Sequence, residues 1–398
     1  MRGKLRRNRY LVLVAVLSVL GVFLGGLLAP IEMVFVTSIV ESESLAGLIY
    51  TVGAIASLVG VLMFNRMATR GVGGKRLLSG ALLFSVALPL LYANSFNLLT
   101  LYGVRFAWAF VGAGMAPILD TLLQTELKRR EKIVGRSFGL IYAVQAGAGM
   151  VAAFASGVMA DVWGFGVVFW VMTVVVIAQY VVVRLVIRER GEINEVKQVG
   201  MRGGLRFLLE SRELEMRTIL GAGFNAAWHT KAILYPLIIL SVTEMYTVVG
   251  AVMATQGLVA MIALVPVGKL VDRKGYLKVL VAGHTMLVIG LVVFGVSGAI
   301  WGLFAAAVIV ALGEACNGPA TAALDVRVIP DKLRNSVNSF QSLCGIVLGI
   351  VSTAVVALAL ARFDARAVIV CLAGFVVVTM VVGLGIAKGE VGRISRSR

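Results

Sequence analysis

The chain has 398 residues, of which 60% are hydrophobic and 14% charged, and its mean hydropathy is +0.97. A water-soluble domain cannot bury that much apolar surface, so a soluble globular protein is excluded and lipid is the expected solvent. The formal charge of +17 would suit a nucleic-acid binder, but the cations recur in alternate loops instead of forming one patch. That distribution assigns them to membrane orientation and anionic headgroups, with no nucleic-acid partner.

A helix crossing a bilayer core needs about 20 apolar residues. About twelve such stretches occur, at 10–40, 45–65, 77–94, 97–123, 137–160, 165–187, 217–241, 247–271, 277–298, 300–324, 336–361 and 366–387. The first follows a basic stretch, Met1–Arg9, as in a signal peptide. It lacks a small-residue cleavage pattern before Pro30 and eleven spans follow, so it is expected to stay as a membrane helix. Arg2 to Arg9, Arg66 to Arg76, Lys128 to Arg136, Arg184 to Arg217, Lys269 to Lys278, Arg327 to Arg334 and Lys388 to Arg398 form the basic set. The intervening loops are acidic or neutral, with Glu41, Glu43, Asp161 and Glu244. Both termini and the central loop are therefore expected on the cytoplasmic side of the cell membrane. Only Arg362 and Arg366, with Asp364 between them, break the alternation.

Glu189 to Glu215 is the longest polar segment, with a short amphipathic stretch at Leu205 to Leu209. It separates six spans from six. The expected organisation is a bundle at 1–190, a cytoplasmic linker at 191–215 and a second bundle at 216–398. The halves echo each other: Gly114-Met-Ala-Pro117 through Asp120 in span four is matched by Asn317-Gly-Pro319 through Asp325 in span ten. Pro30 in span one is matched by Pro236 in span seven. Cys316, Cys344 and Cys371 fall inside spans, and His229 and His284 are the two histidines. Neither an extracellular disulfide, a metal site nor a cofactor is expected from these. Gly71-Val-Gly73-Gly74-Lys75 lacks the spacing of a phosphate loop.

Gly268-Lys-Leu270-Val-Asp272-Arg273-Lys-Gly275 resembles the G-x-L-x-D-R-x-G loop of the major facilitator superfamily, at the position between spans eight and nine where that family carries it. Arg105 followed by Gly112-Ala-Gly114 is similar to the family's span-four motif. The resemblance implies an all-α polytopic fold, with 12 transmembrane helices in two pseudo-symmetric six-helix bundles around a central cavity. It implies that Gly268, Asp272, Arg273 and Gly275 form a conformational latch. The alternative is that Asp272 and Arg273 only solvate a helix end. The first-half loop is degraded, with Val61 and Asn65 in place of Gly and Asp, and span five lacks the Gly-Pro pair of drug antiporters.

Ionisable groups within spans cost about 2.5–3.5 kcal/mol or more near the bilayer centre and are the first functional candidates. Four lie away from span ends: Glu32, Arg105, Lys231 and Glu314. At 1.5 Å per residue, Glu32 and Arg105 lie roughly 12 Å below the outer face, and Lys231 and Glu314 roughly 20 Å. Within the bundles that the resemblance implies, those depths predict the pairs Glu32–Arg105 and Lys231–Glu314. Helical spacing puts Phe224, Trp228, Lys231 and Tyr235 on one face, and Arg105 with Tyr102 and Trp108 on another. Further cavity candidates are Gln145, Asn225, Gln256, Asn317 and Gln341. An acidic span-one residue with a span-four Arg resembles proton-coupled drug transporters of the superfamily, which makes Glu32 the expected proton carrier. The alternative for both pairs is a static staple between helices.

The reading is a monomeric secondary active transporter of a small molecule, working by alternating access with protons as the coupling ion. Export of a hydrophobic or drug-like compound is slightly favoured. The alternative is proton-coupled uptake of a small organic solute, anions included. A membrane receptor or an intramembrane enzyme is the non-transport alternative. The enzyme reading lacks clustered His or paired Asp, and the receptor reading lacks a soluble domain.

Overall fold

The computed structural model describes residues 2–70, 72–128, 134–186 and 207–394. Residues 187–206, which include 191–206 of the expected 191–215 linker, lie outside the described residues. Among the described residues the chain is helical throughout with no strand. Ten helical spans among the described residues are long and apolar enough to cross a membrane, or eleven if a bent pair counts as one span.

That pair is α1 (Arg2–Leu28) and α2 (Glu32–Val40), which meet at 41°. The expected single span at 10–40 is therefore broken, and Pro30 is the cause. It has no N–H to continue the helical ladder, and its ring clashes with the carbonyl four residues back. A second break divides the expected span at 77–94 into α4 (Gly74–Ser85) and α5 (Leu88–Ala93), with Pro89 in the first turn of α5. The remaining elements of the first half are α3 (Glu43–Thr69), α6 (Leu98–Lys128), α7 (Val134–Trp163) and α8 (Phe165–Val186). The second half comprises α9 (Arg212–Leu240), α10 (Tyr246–Lys274), α11 (Tyr276–Val296), α12 (Ile300–Val328), α13 (Asp331–Ala359) and α14 (Ala365–Ile394). Of these, α9 is long enough to span but is absent from the apolar set. Asn225, His229, Thr230 and Lys231 dilute its centre.

Two compact units result: Met1–Glu195 with Glu244–Leu258, and Val196–Thr243 with Val259–Arg398. The core of unit 1 joins Leu17, Phe64, Leu78, Val111, Val176 and Val183. That of unit 2 joins Leu220, Val267, Leu280, Ala315, Ala320 and Leu324. Both units leave large apolar side chains uncovered, among them Trp170 at 61% and Leu185 at 79% exposure, as a lipid-solvated surface requires. Trp163 and Trp301, at or next to helix ends, are exposed as well, in the manner of an interfacial aromatic belt.

Glycine sets how closely the helices of a unit approach. A Cβ on Gly60 would run into the Phe110 carbonyl, and one on Gly26 would lie 2.6 Å from the Gly149 oxygen. Such close approach is the usual basis of helix association where lipid removes the hydrophobic drive.

The expected second bundle began at 216 and kept residues 244–258. In their contacts they group with unit 1. The reason is local: Gly250 sits against the backbone of Ala153 and Gly157, and Gly257 against Met150. Asp161 of α7 accepts hydrogen bonds from the Tyr246 and Thr247 amides at 2.9 and 2.6 Å and from the Thr247 hydroxyl. It thereby caps the first turn of α10 in trans. Removing a cap costs about 1 kcal/mol. Asp161→Ala is therefore expected to lower the melting temperature in detergent while Asp161→Asn keeps most of it, read by intrinsic-fluorescence unfolding.

Candidate functional site

In unit 1 the break at Pro30 makes Glu32 the first residue of α2, at the positive end of the helix dipole. Its side chain turns inward and is 2% exposed. Arg105 Nε of α6 lies 3.0 Å from Glu32 Oε1, and the Tyr92 hydroxyl of α5 donates to the same oxygen at 3.2 Å. The Tyr50 hydroxyl of α3 also hydrogen-bonds the carboxylate. Four elements thus converge on one carboxyl. The Tyr50 ring lies 5.8 Å from the guanidinium carbon of Arg105. One turn on, Gly53 leaves room for that guanidinium, since a Cβ there would stand 3.2 Å from Nε. Aromatic rings close the surroundings: Tyr92 packs on Phe35, Phe169 and Trp108 at 5.6, 5.7 and 6.0 Å between centroids.

In unit 2 the Lys231 ammonium of α9 donates to both oxygens of Glu314 of α12, at 3.0 and 3.1 Å. The Trp228 ring lies 3.6 Å from the same nitrogen, a cation–π contact at close range. Phe224 stacks on Trp228 at 6.2 Å, and Trp228 is 46% exposed.

Both pairs expected from depth are therefore present, and three of the four residues expected on one face of α9 lie together. Tyr235 does not. It is 1% exposed and stacks on Phe294 of α11 at 4.3 Å, so it belongs to the core of unit 2. Pro236 interrupts the helix ladder beside it, and Phe294 offers the larger apolar contact. Gln341 lies beside a further ion pair. Its side-chain oxygen accepts from Arg217 Nη1, which pairs with Asp325 Oδ1 at 2.6 Å. Gln145 Nε2 donates to Ser18 Oγ at 2.5 Å, tying α7 to α1. Asn225 Nδ2 donates to the Gly221 carbonyl of its own helix at 2.7 Å. Asn317 is half-buried near the Glu314 face. Gln256 is buried, and its amide nitrogen lacks a hydrogen-bond partner among the described residues. Tyr102, expected beside Arg105, donates to the Leu45 carbonyl at 2.6 Å.

Among the loop residues, Gly275 takes φ +83, a left-handed conformation that only glycine adopts freely, and so turns α10 into α11. Asp272 and Arg273 are exposed at the end of α10, with no ion pair or side-chain hydrogen bond among the described residues. Gly268 lies one turn earlier on the same helix, with open space at its Cβ position.

Three parts of these sites were not foreseen. Tyr50 and Tyr92 complete the Glu32 cluster, and the depth count, which matched charge to charge, gives no signal for them. The third ion pair, Arg217–Asp325, lies about four turns from Lys231 on α9 and about three from Glu314 on α12. One face of each helix therefore carries both charges.

The family model described as Major Facilitator Superfamily matches residues 11–246 and 220–397. The multidrug resistance protein MdtG of Dickeya zeae (strain Ech586) is 25% identical over 295 residues, which is 70% of this chain and 69% of that protein. Among solved structures, the nucleoside transporter NupG superposes with a TM-score of 0.80 at 11% identity, over 95% of this chain and 99% of its own. A bacterial homolog of the human lysosomal transporter Spinster gives 0.77 at 12%, over 96% and 97%. At those identities the structures speak for the fold alone. Matched along both halves and built from long apolar helices, this multi-pass membrane transporter belongs to the Major Facilitator Superfamily.

Proposed function

We propose that the protein is a proton-coupled secondary transporter that exports a hydrophobic or drug-like compound across the cytoplasmic membrane, with both termini on the cytoplasmic side. It works as a monomer, by alternating access of a bundle at 1–190 and a bundle at 216–398 joined by the 191–215 linker. The observation that carries this reading is Glu32: a carboxylate 2% exposed, held by one arginine and two tyrosines from three other elements. A buried carboxylate exchanges charge with a proton more readily than a hydrated one, because desolvation disfavours its ionised form. Protonating it leaves Arg105 uncompensated and changes which arrangement of α2, α3, α5 and α6 is stable. The name of the matched relative, a multidrug resistance protein, supports export. Asp272 and Arg273, with Gly268 and Gly275, serve as the latch on the cytoplasmic side.

The test is reconstitution in liposomes with an imposed pH gradient and a panel of lipophilic cations, neutral drugs and organic anions. Accumulation of one of these that follows the gradient is the expected result. Transport indifferent to the gradient overturns proton coupling.

Proton-coupled uptake of a small organic anion is the second reading, favoured by the half-exposed Trp228 face over Lys231. Under it, Lys231→Ala loses anion binding about tenfold or more, as deletion of a charged hydrogen-bond donor does. Under export of cations or neutral compounds, the same variant leaves anion titrations flat. Equilibrium binding by tryptophan fluorescence separates the two.

A further inference from the structure

Unit 2 contains an apolar groove whose lining includes no member of the three ion pairs. Ala222 and Ala226 of α9 form its floor. Leu348 to Ala359 of α13 and Ala367 to Phe375 of α14 form its walls, and its volume is about 380 Å³. The Ser352 hydroxyl donates back to the Gly349 carbonyl at 3.2 Å, so the lining presents hydrocarbon. Val351, Val355, Phe363 and Phe375 are exposed, so the groove is open at the surface of the unit and its rim is apolar. From Leu348 to Ala359 the helix rises roughly 16 Å. That is about half of a ~30 Å hydrocarbon core, the depth of one leaflet.

The mouth of the groove is the tight turn between α13 and α14, built by bonds from the Arg362 and Phe363 amides to the Ala359 carbonyl at 3.0 and 2.9 Å. Phe363 lines the groove. Its neighbour Arg362 is exposed, with no ion pair or side-chain hydrogen bond among the described residues. The one carboxylate in the turn is engaged, since Asp364 Oδ1 accepts from the Ala367 amide at 2.7 Å. Arg366 is turned toward Ser241 Oγ, to which Nε and Nη2 donate at 3.3 and 3.1 Å. These two arginines are the pair that breaks the charge alternation of the loops, and transport gives them no task.

We propose that this groove holds one acyl chain of an anionic phospholipid, with Arg362 meeting its phosphate. The groove matches the chain in depth and polarity, and the uncommitted cation at its mouth selects negative headgroups. One cation near a headgroup confers a preference of about fivefold. A hydrophobic solute or a zwitterionic lipid would fill the groove without using Arg362.

The experiment reconstitutes the full chain in phosphatidylcholine vesicles containing a phosphatidylglycerol with a photoactivatable diazirine in its acyl chain, then maps adducts by peptide mass spectrometry. Adducts are expected to concentrate within residues 348–375. In competition, wild type should retain phosphatidylglycerol about fivefold over phosphatidylcholine of the same chain length, and Arg362→Gln should bring that ratio near parity. Ala367→Trp, which fills the groove from an exposed position, should lose the adducts. Adducts spread evenly over the lipid-facing helices overturn the proposal, as does equal retention of the two lipids by wild type or an undiminished preference in Arg362→Gln. The wild-type photolabelling needs no substitution, so misfolding of a variant leaves the answer intact.

Discussion

Replacing Glu32 with Gln is expected to uncouple transport from the proton gradient while leaving the protein folded. With one proton moved per substrate, each pH unit of gradient is worth about 1.4 kcal/mol, or about tenfold in accumulation. Wild-type liposomes should therefore concentrate substrate about tenfold per imposed pH unit, and Glu32→Gln should bring the ratio to about one. Gln keeps the volume and can still accept from Tyr92 and Tyr50, so the packing of α2 against α3, α5 and α6 survives. What it loses is the change of charge opposite Arg105, 3.0 Å away. Counterflow of labelled substrate with no pH gradient should continue in the variant, because exchange needs the rocking motion but no proton. Wild-type accumulation in Glu32→Gln would refute the assignment of the carrier. Loss of counterflow as well would make the residue a structural tie.

The legible parts of the fold and of this cluster were those that desolvation enforces. A charge inside a span must be matched at its own depth, so counting residues from the helix ends joined Glu32 to Arg105 and Lys231 to Glu314. Hydropathy likewise located every span, α9 included at 217–241, although the polar residues at its centre lower the apolar signal of that helix. What escaped was neutral or terminal. Tyr50 and Tyr92 are aromatic residues in apolar helices, and composition gives no sign that their hydroxyls share a carboxylate. Arg217 and Asp325 sit near helix ends, where charges ordinarily reach water. Their mutual contact at 2.6 Å depends on how α9 crosses α12. Tyr235 failed for a related reason: its spacing from Lys231 suits a shared face, but the tertiary contact with Phe294 decides where the ring goes. The division of α10 at Leu258 follows from glycine contacts between helices distant in sequence, which a span count does not contain.

The second large effect is expected at Lys231 and Glu314, and it is asymmetric. Removing one member of a part-buried pair leaves an uncompensated charge, at a cost approaching the ~3–5 kcal/mol of a fully buried one. Glu314→Gln leaves the Lys231 ammonium, but that nitrogen retains the Trp228 ring at 3.6 Å, and a partly exposed cation–π contact returns about 1 kcal/mol. Lys231→Met leaves the Glu314 carboxylate with no comparable cushion, so it should be the more destabilising single change, by about 1 kcal/mol in detergent unfolding. Trp228→Leu should erase that difference. The double variant Lys231→Met/Glu314→Gln removes both charges at nearly constant volume and should return close to wild-type stability, since neutral replacement of a buried pair is often free of cost. Its transport then decides between the two readings of the pair. A static staple predicts that the double variant transports as well as it folds. A substrate site predicts a stable protein whose binding titration is flat. The Trp228 face is 46% exposed and leads directly onto the ammonium, an opening that a staple does not need, so the flat titration is the expected outcome.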